Sequence, residues 1–414
     1  MSDCATSSTT RFENFSLALE AAFDGGRITS DGGLVWLAKA DQELGLCEKI
    51  AQYVPEWRGS SLRHPLVTLV RQRVFQIACG YEDQNDSDSL RTDPLLKLVC
   101  GRLPETGASL ASQPTISRLE NAVTARSCYR IAQALMELYI RQRTKHGDTA
   151  PERILLDFDA TADPAHGEQE GVYYHGYYGE RILHPLLVFD GETDRLIAAV
   201  LRPGNTHASR GALALLRRIV EKLREVWPSV EIEIRADAGF AVPEIYDYCE
   251  KESIDYTIGL IPNSRLEKIA EPLLDEAKRQ SEAEAGEKVR LVESARYRAG
   301  SWEHDRRILY KAEVLEKGTN TRFVVSSRPD EADELYDWYV RRGEAEGWIK
   351  DFKVALRSDR LSCHRFMANQ FRLLLHAAAY WLLDELRRRF CWRGMWEGCS
   401  WTRCDCASSR SVDG

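Results

Sequence analysis

Three acidic side chains and one charge-rich stretch are the residues of this sequence that could do chemistry. In "LLDFDAT" a strand period of two puts Asp157 and Asp159 on one face, opposite Leu156 and Phe158. Two carboxylates on one strand are costly to bury without a cation or a hydrogen-bond network. In "IEIRADAGF" the alternating Ile232 and Ile234 mark a second strand, with Asp237 at its end and Gly239 permitting a sharp exit. The strand ends of an α/β sheet are where ligands and metals bind. Each aspartate, taken singly, also suits a turn or a helix cap.

The charged stretch is "YVRRGEAEGWIKDFK", Tyr339 to Lys353. Read as one helix at roughly 100° per residue, it places Tyr339, Arg342, Glu346 and Lys353 within a window of roughly 60°. Arg342 and Glu346 are four apart and can pair for a few tenths of a kcal/mol. That pairing does not explain why Tyr339 and Lys353 share the stripe. Arg341, Glu344 and Asp351 are left to solvent and ion pairs, and Trp348 and Phe352 to packing.

The elements that must position these residues follow from periodicity. Up to residue 148 the pattern is helical, with apolar residues at three- and four-residue steps in "PLVTLVRQRVFQIACGYE" and "SCYRIAQALMELYIRQRT". From 149 the texture becomes strand, strand, strand, helix, strand, helix, strand, the order of a ribonuclease-H-like α/β fold. An aromatic, Gly-rich segment, "GVYYHGYYGER", interrupts the first strands. The stretch 263–322 reads as a partly β insertion in that core. The core resumes at 323–388 with the Glu346 helix and C-terminal helices. The expected division is thus 1–148, 149–262, 263–322, 323–388 and a tail, 389–414.

Composition narrows the setting. The chain has 414 residues, 43% hydrophobic and 29% charged, with a formal net charge of -8. That balance excludes a uniformly basic nucleic-acid coat but allows local basic surfaces. The eleven cysteines lack zinc-pair spacing before residue 390 and fit reduced thiols of a cytosolic protein. The start has no signal-peptide order. The run "LLLHAAAYWLL" is too short to span a bilayer, so no membrane partner is expected.

The spacing Y-x2-R-x3-E-x6-K, lying after a "DAT" strand and a "DAG" strand, resembles the signature of the DDE transposases of bacterial insertion sequences. "LDFDATADPAHGEQEG", "LRPGNTH", "RADAGF", "ITSDGG", "SQPTISRLEN" and "MANQFRLLLHAAAYWL" further resemble the insertion-sequence 1380 family, over residues 12–388. The resemblance implies a metal-binding triad of Asp159, Asp237 and Glu346. Asp157 is the rival first carboxylate; Asp159 is preferred because Thr161 follows it by two, as in the family motif. It also implies that Tyr339, Arg342 and Lys353 contact phosphates of the transposon end. Two Mg²⁺ or Mn²⁺ ions would serve an in-line phosphoryl displacement.

The implied reaction is cut-and-paste: cleavage at terminal inverted repeats, then joining of the 3′-hydroxyl ends to target DNA. The implied partners are those DNAs and further copies of the chain in a synaptic complex, in a bacterial cytoplasm, at the nucleoid. A nuclease that cuts without joining, and an inactive DNA-binding remnant, are the alternatives. Trp302 could stack on an extruded base, although packing over the β insertion is the more ordinary role for it. Thr115, Ser117, Arg118 and Asn121 could read DNA from one helix of the helical N-terminal domain, or that helix is an ordinary core helix. The basic clusters "LRRIVEKLREVW" and "RYRAGSWEHDRR" could follow a phosphate backbone or be solvated faces. The tail, with three Trp and four Cys from Cys391 to Cys406, departs from the family's pattern and reads as a shifted frame or truncated element end.

Overall fold

The computed structural model describes residues 10–12, 19–21, 28–59, 63–145, 150–283 and 287–391. The atypical tail beyond Cys391 and the polar first nine residues lie outside the described residues.

The chain opens with a short antiparallel pair, β1 (Thr10–Phe12) and β2 (Leu19–Ala21). Seven helices follow: α1 (Leu34–Leu44), α2 (Leu46–Ala51), α3 (Leu66–Ala78), α4 (Asp86–Leu90), α5 (Pro94–Val99), α6 (Gln113–Ala122) and α7 (Ala125–Lys145). Gly45, at φ 64°, ends α1, so the apolar run there folds as two helices.

The α/β half begins with β3 (Arg153–Ala160). Three short strands, β4 (Asp163–Pro164), β5 (Tyr173–His175) and β6 (Glu180–Leu183), form a separate small sheet. Then come β7 (Leu186–Asp190), β8 (Leu196–Val200), α8 (Ala212–Val226), β9 (Glu231–Ala236), α9 (Pro243–Lys251) and β10 (Asp255–Leu260). After these lie α10 (Ser264–Ala283), β11 (Val289–Tyr297), β12 (Arg306–Leu315) and β13 (Gly318–Ser326). Last are α11 (Ala332–Val340), α12 (Gly343–Val354) and α13 (Phe366–Cys391).

Eight strands make one mixed sheet in the order β11-β12-β13-β10-β9-β3-β7-β8. β3, β9 and β10 run parallel, β7 is antiparallel to β3, and β8 is antiparallel to β7. The central strands are nearly continuous buried runs, as expected where helices cover both faces. The segment between 263 and 322 contributes α10, β11, β12 and the first half of β13, whose second half, Phe323–Ser326, pairs with β10. Its strands therefore extend the same sheet.

α13 is buried around its whole circumference from Ala368 to Leu382. Such a helix belongs inside a protein. It packs on α3, α1, α7 and α6 on one side and on β8 on the other. Gln370 Oε1 accepts from Leu201 N at 2.7 Å, and Trp381 Nε1 donates to Leu196 O at 3.1 Å. Arg372, on the other side, reaches Glu120 of α6 at 3.5 Å, which Arg73 of α3 also holds at 2.7 Å. Burial alone would raise the Glu120 carboxyl, but Arg372 and Arg73 hold it down to about 2. The helices before residue 148 and the sheet thus share one core. No helix among the described residues is long and apolar enough to cross a membrane.

Candidate active site

The parallel register of β3 and β9 places Phe158 opposite Ala236. Asp159 and Asp237 are each one residue further on, side by side at the carboxyl ends of adjacent strands. Asp237 sits at the turn after β9, where its Oδ1 accepts from Gly239 N at 2.8 Å. A Cβ on Gly239 would lie 2.7 Å from the Ala208 side chain and 3.0 Å from that same Oδ1. Glycine here lets the chain leave the strand and keep the carboxylate in place.

The stretch 339–353 is not one helix. α11 ends at Val340 and α12 begins at Gly343, joined by a turn. Arg342 N donates to Tyr339 O, and Ala345 N to Arg342 O, both at 2.9 Å, the i to i+3 pattern of a tightened turn. Gly343 and Gly347 weaken helix propensity at this point. The expected stripe still converges, because Arg342 keeps helical backbone angles.

Arg342 is the hub. Its guanidinium donates to Asp159 Oδ2 at 3.2 Å and to Glu346 Oε1 at 3.3 Å. Glu346 lies in the first turn of α12 with its side chain 66% exposed. Tyr339 reaches under the sheet end, donating from its hydroxyl to Ala236 O at 3.3 Å. Gly259 of β10 makes room: a Cβ there would stand 2.7 Å from the Tyr339 hydroxyl. Asp159, Asp237, Glu346, Tyr339 and Arg342 line one cavity of about 790 Å³. Burial pushes the Asp159 carboxyl up to about 7, with Arg342 opposing and the charges of Asp237 and Glu346 adding to it.

Lys353 stands apart from that cavity. Its ammonium donates to Thr161 Oγ1 at 3.1 Å and to Ala162 O, and lies 3.6 Å from buried Asp163. It pins the turn that follows Asp159. Asp163 is pushed up to about 8 by burial, with Lys353 opposing and Asp359 reinforcing.

Asp157 has a different surrounding. Arg235 of β9 grips both its oxygens at 2.7 Å, and both side chains are buried. The same guanidinium donates to Trp338 O at 2.9 Å and lies 4.9 Å from the Trp338 ring. Asp157 is therefore committed to tethering α11. Trp302 is 5% exposed, edge-on to Tyr246 and Tyr297 and beside Arg306, outside the cavity. As placed, it offers no free ring face to a base. On α6, Arg118 is exposed, but Ile116, Leu119 and Glu120 are buried and the helix docks on α13 and α3.

Sequence reasoning passed over four aromatic side chains of the cavity wall. His175, Tyr177, Tyr178 and His184 line it beside the carboxylates. Tyr178 donates to Ala160 O at 3.4 Å, and burial with nearby Asp159 and Asp237 raises its hydroxyl to about 12. For three of the four the signal was present as the aromatic cluster in "GVYYHGYYGER"; His184 lies just beyond it.

A family model described as "Transposase DDE domain group 1" matches residues 13–402. The chain belongs to this DDE transposase family. No curated protein matches it. Among solved structures, the piggyBac transposase synaptic complex with hairpin DNA, determined by cryo-EM, is similar at 12% identity and a TM-score of 0.46. That match covers 85% of this chain and 74% of the other. Among the described residues, no three His, Cys, Asp or Glu side chains are grouped closely enough to share an ion as they stand.

Proposed function

We propose that the chain is a cut-and-paste transposase of the insertion-sequence 1380 type, built on a ribonuclease-H-like core. In this reading Asp159, Asp237 and Glu346 are its catalytic carboxylates. One observation carries the assignment. The register that pairs Phe158 with Ala236 leaves two aspartates abreast at the strand ends, and Glu346 faces the cavity they share. The connectivity supports the core: a three-strand meander β3-β7-β8, a helix, then parallel β9 and β10 on the far side of β3. That is the ribonuclease-H-like order.

The donor set fits a hard divalent cation, since all three groups are carboxylates. Burial raises Asp159, the charges of Asp237 and Glu346 add to it, and one guanidinium bridges Asp159 to Glu346, so the place calls for positive charge. Asp159, Asp237 and Glu346 would hold Mg²⁺ or Mn²⁺, two ions in the full site. When bound, such ions activate the attacking oxygen and stabilise the leaving one.

The remaining residues do their own work. Arg342 has a planar fork suited to a phosphate and sits beside the carboxylates. Tyr339, wedged against Gly259 and Ala236, orients Arg342 and presents a hydroxyl at the cavity wall. Lys353 holds the turn carrying Thr161 and so sets the direction of Asp159. Contact with a phosphate of the transposon end would require it to leave that turn. The helices up to residue 148 would bind the inverted repeats, 263–322 would form an elaborated edge of the core, and copies of the chain would pair two ends.

The test is a strand-transfer assay with Mg²⁺ and DNA carrying the element's own inverted repeats. Joined products are expected. Cleavage without joining would mark a nuclease, and binding alone a remnant. Full activity in Asp159→Asn, Asp237→Asn and Glu346→Gln would overturn the site.

A further inference from the structure

The hairpin of β5 and β6 concentrates exposed aromatic surface. Among the described residues, Tyr173, Tyr174, Tyr177 and Tyr178 are four of only six exposed Trp, Tyr and Phe side chains. Tyr177, at the tip, is 87% exposed. Exposed aromatic rings gathered in one segment mark a binding surface. Its position limits what binds. Tyr177 and Tyr178 line the same cavity as Asp159 and Asp237, with their rings 5.1 Å apart and nearly perpendicular. Residues 173–180, "YYHGYYGE", hold no Lys or Arg. The hairpin's one basic side chain, Arg181 in β6, is paired with Glu168 at 3.5 Å, so the tip itself lacks the groups that grip phosphate.

A second observation points the same way. His184 is 2% exposed and lines that cavity. Its Nδ1 is 2.7 Å from Thr206 O, which can only accept, so Nδ1 carries the proton. Burial lowers His184 to about 4, so the ring is neutral and Nε2 is a bare acceptor. That Nε2 is buried and has no hydrogen-bond partner. A buried acceptor left unmatched is costly, and a ligand N–H would satisfy it. The His175 ring, 4.9 Å from His184 and 5.0 Å from Tyr178, completes an aromatic wall.

We infer that this wall is a nucleobase site: Tyr177 stacks on an unpaired base next to the scissile phosphate, and His184 Nε2 accepts from the base edge. The inference rests on the transposase reading, because it supplies the DNA whose strand enters the cavity. It reassigns base stacking from buried Trp302 to the hairpin. Stacking of this kind tolerates any base, since each has a π-face, and the edge acceptor adds preference for a base with an N–H to offer.

The experiment uses the full chain in metal-free buffer at fixed ionic strength. Fluorescence anisotropy compares an eight-nucleotide oligo-dT with an abasic strand of the same length and charge. The wild type is expected to bind oligo-dT about tenfold more tightly than the abasic strand. Tyr177→Ala should erase that ratio while leaving abasic binding and the melting curve unchanged, and Tyr177→Trp should keep it. Equal weakening of both probes by Tyr177→Ala would assign the hairpin to the backbone and overturn the inference. So would an intact ratio with altered sedimentation, which would make the hairpin an interface between copies of the chain. Because this readout needs neither metal nor cleavage, its failure leaves the transposase reading standing. Unimpaired cleavage by Asp159→Asn would sink that reading separately.

Discussion

Asp157 and Asp159 lie two residues apart on the same strand, and their surroundings send them to different tasks. Asp157 is sealed in, and Arg235 holds both of its oxygens. Burial outweighs the pull of that partner and leaves its acidity weaker than that of a free aspartate. Asp159 opens on a cavity and is held by one oxygen, through an arginine it shares with Glu346. A buried pair with every donor engaged has no capacity left for a ligand. A crowded set of carboxylates around one shared cation has capacity, because exchanging that cation costs little. Sequence spacing could not separate the two, since both obey the same period. What separates them is the arginine at 235, one position before the register reaches the strand ends.

The comparison can be broken most decisively at Asp159. Asp159→Asn should cut DNA cleavage by about a thousandfold or more while leaving the denaturation midpoint nearly unchanged. Asp157→Ala should do the opposite. It strands a buried guanidinium, so urea titration should show a loss of about 3–5 kcal/mol. The paired replacement Asp157→Leu with Arg235→Met should recover most of that loss, because an apolar pair has no charge to desolvate. A restored double variant with full cleavage would confine Asp157 to packing; one that stayed inactive would draw it into the chemistry.

A smaller effect is expected one strand over. Gly259→Ala would force the Tyr339 hydroxyl away from its 2.7 Å approach and should cost about 1–3 kcal/mol of stability. Cleavage should fall on the order of tenfold as Arg342 loses its neighbour. The most gradual effect, spread over pH, concerns Asp163. Its folded value lies near 8, above that of an unfolded aspartate, so the folded state binds the extra proton between about pH 4 and pH 8. Stability from this group is full at the acid end and declines as pH rises through that window, by at most about 1.4 kcal/mol per pH unit. Asp163→Asn should flatten the decline, read as the urea midpoint at successive pH values.

Much of this organisation was legible in the sequence. Alternation in "LLDFDAT" and "IEIRADAGF" located the strands, and the acids at their ends lie where period-two reasoning puts them. The helical stripe brought Tyr339, Arg342 and Glu346 to one cavity. It missed the break at Arg341–Arg342, because a wheel drawn through a glycine-weakened turn looks the same as one drawn through a continuous helix. Lys353 kept its direction but found the turn after Asp159, a contact made across 192 residues that no local pattern encodes. Trp302 was ambiguous for a simple reason: stacking on a base and packing on Tyr246 use the same ring. The cavity-lining tyrosines were visible as composition, yet exposure is a property of the folded surface. The pairing of Glu120 with both Arg73 and Arg372 was invisible, since it joins three distant helices.

The greasy helix α13 has a consequence for distances inside this molecule. One face is bolted to the helices before residue 148 and the other to β8 of the main sheet, by packing, by Gln370 and Trp381, and by the buried arginines around Glu120. Among the described residues, nothing in that joint resembles a hinge. If the first helices bind the inverted repeats as proposed, whatever they touch lies at a constant span from Asp159 and Asp237. Under the proposed function α13 would work as a ruler: the position of the cut, counted in base pairs from the recognised sequence, would be a length built into the protein.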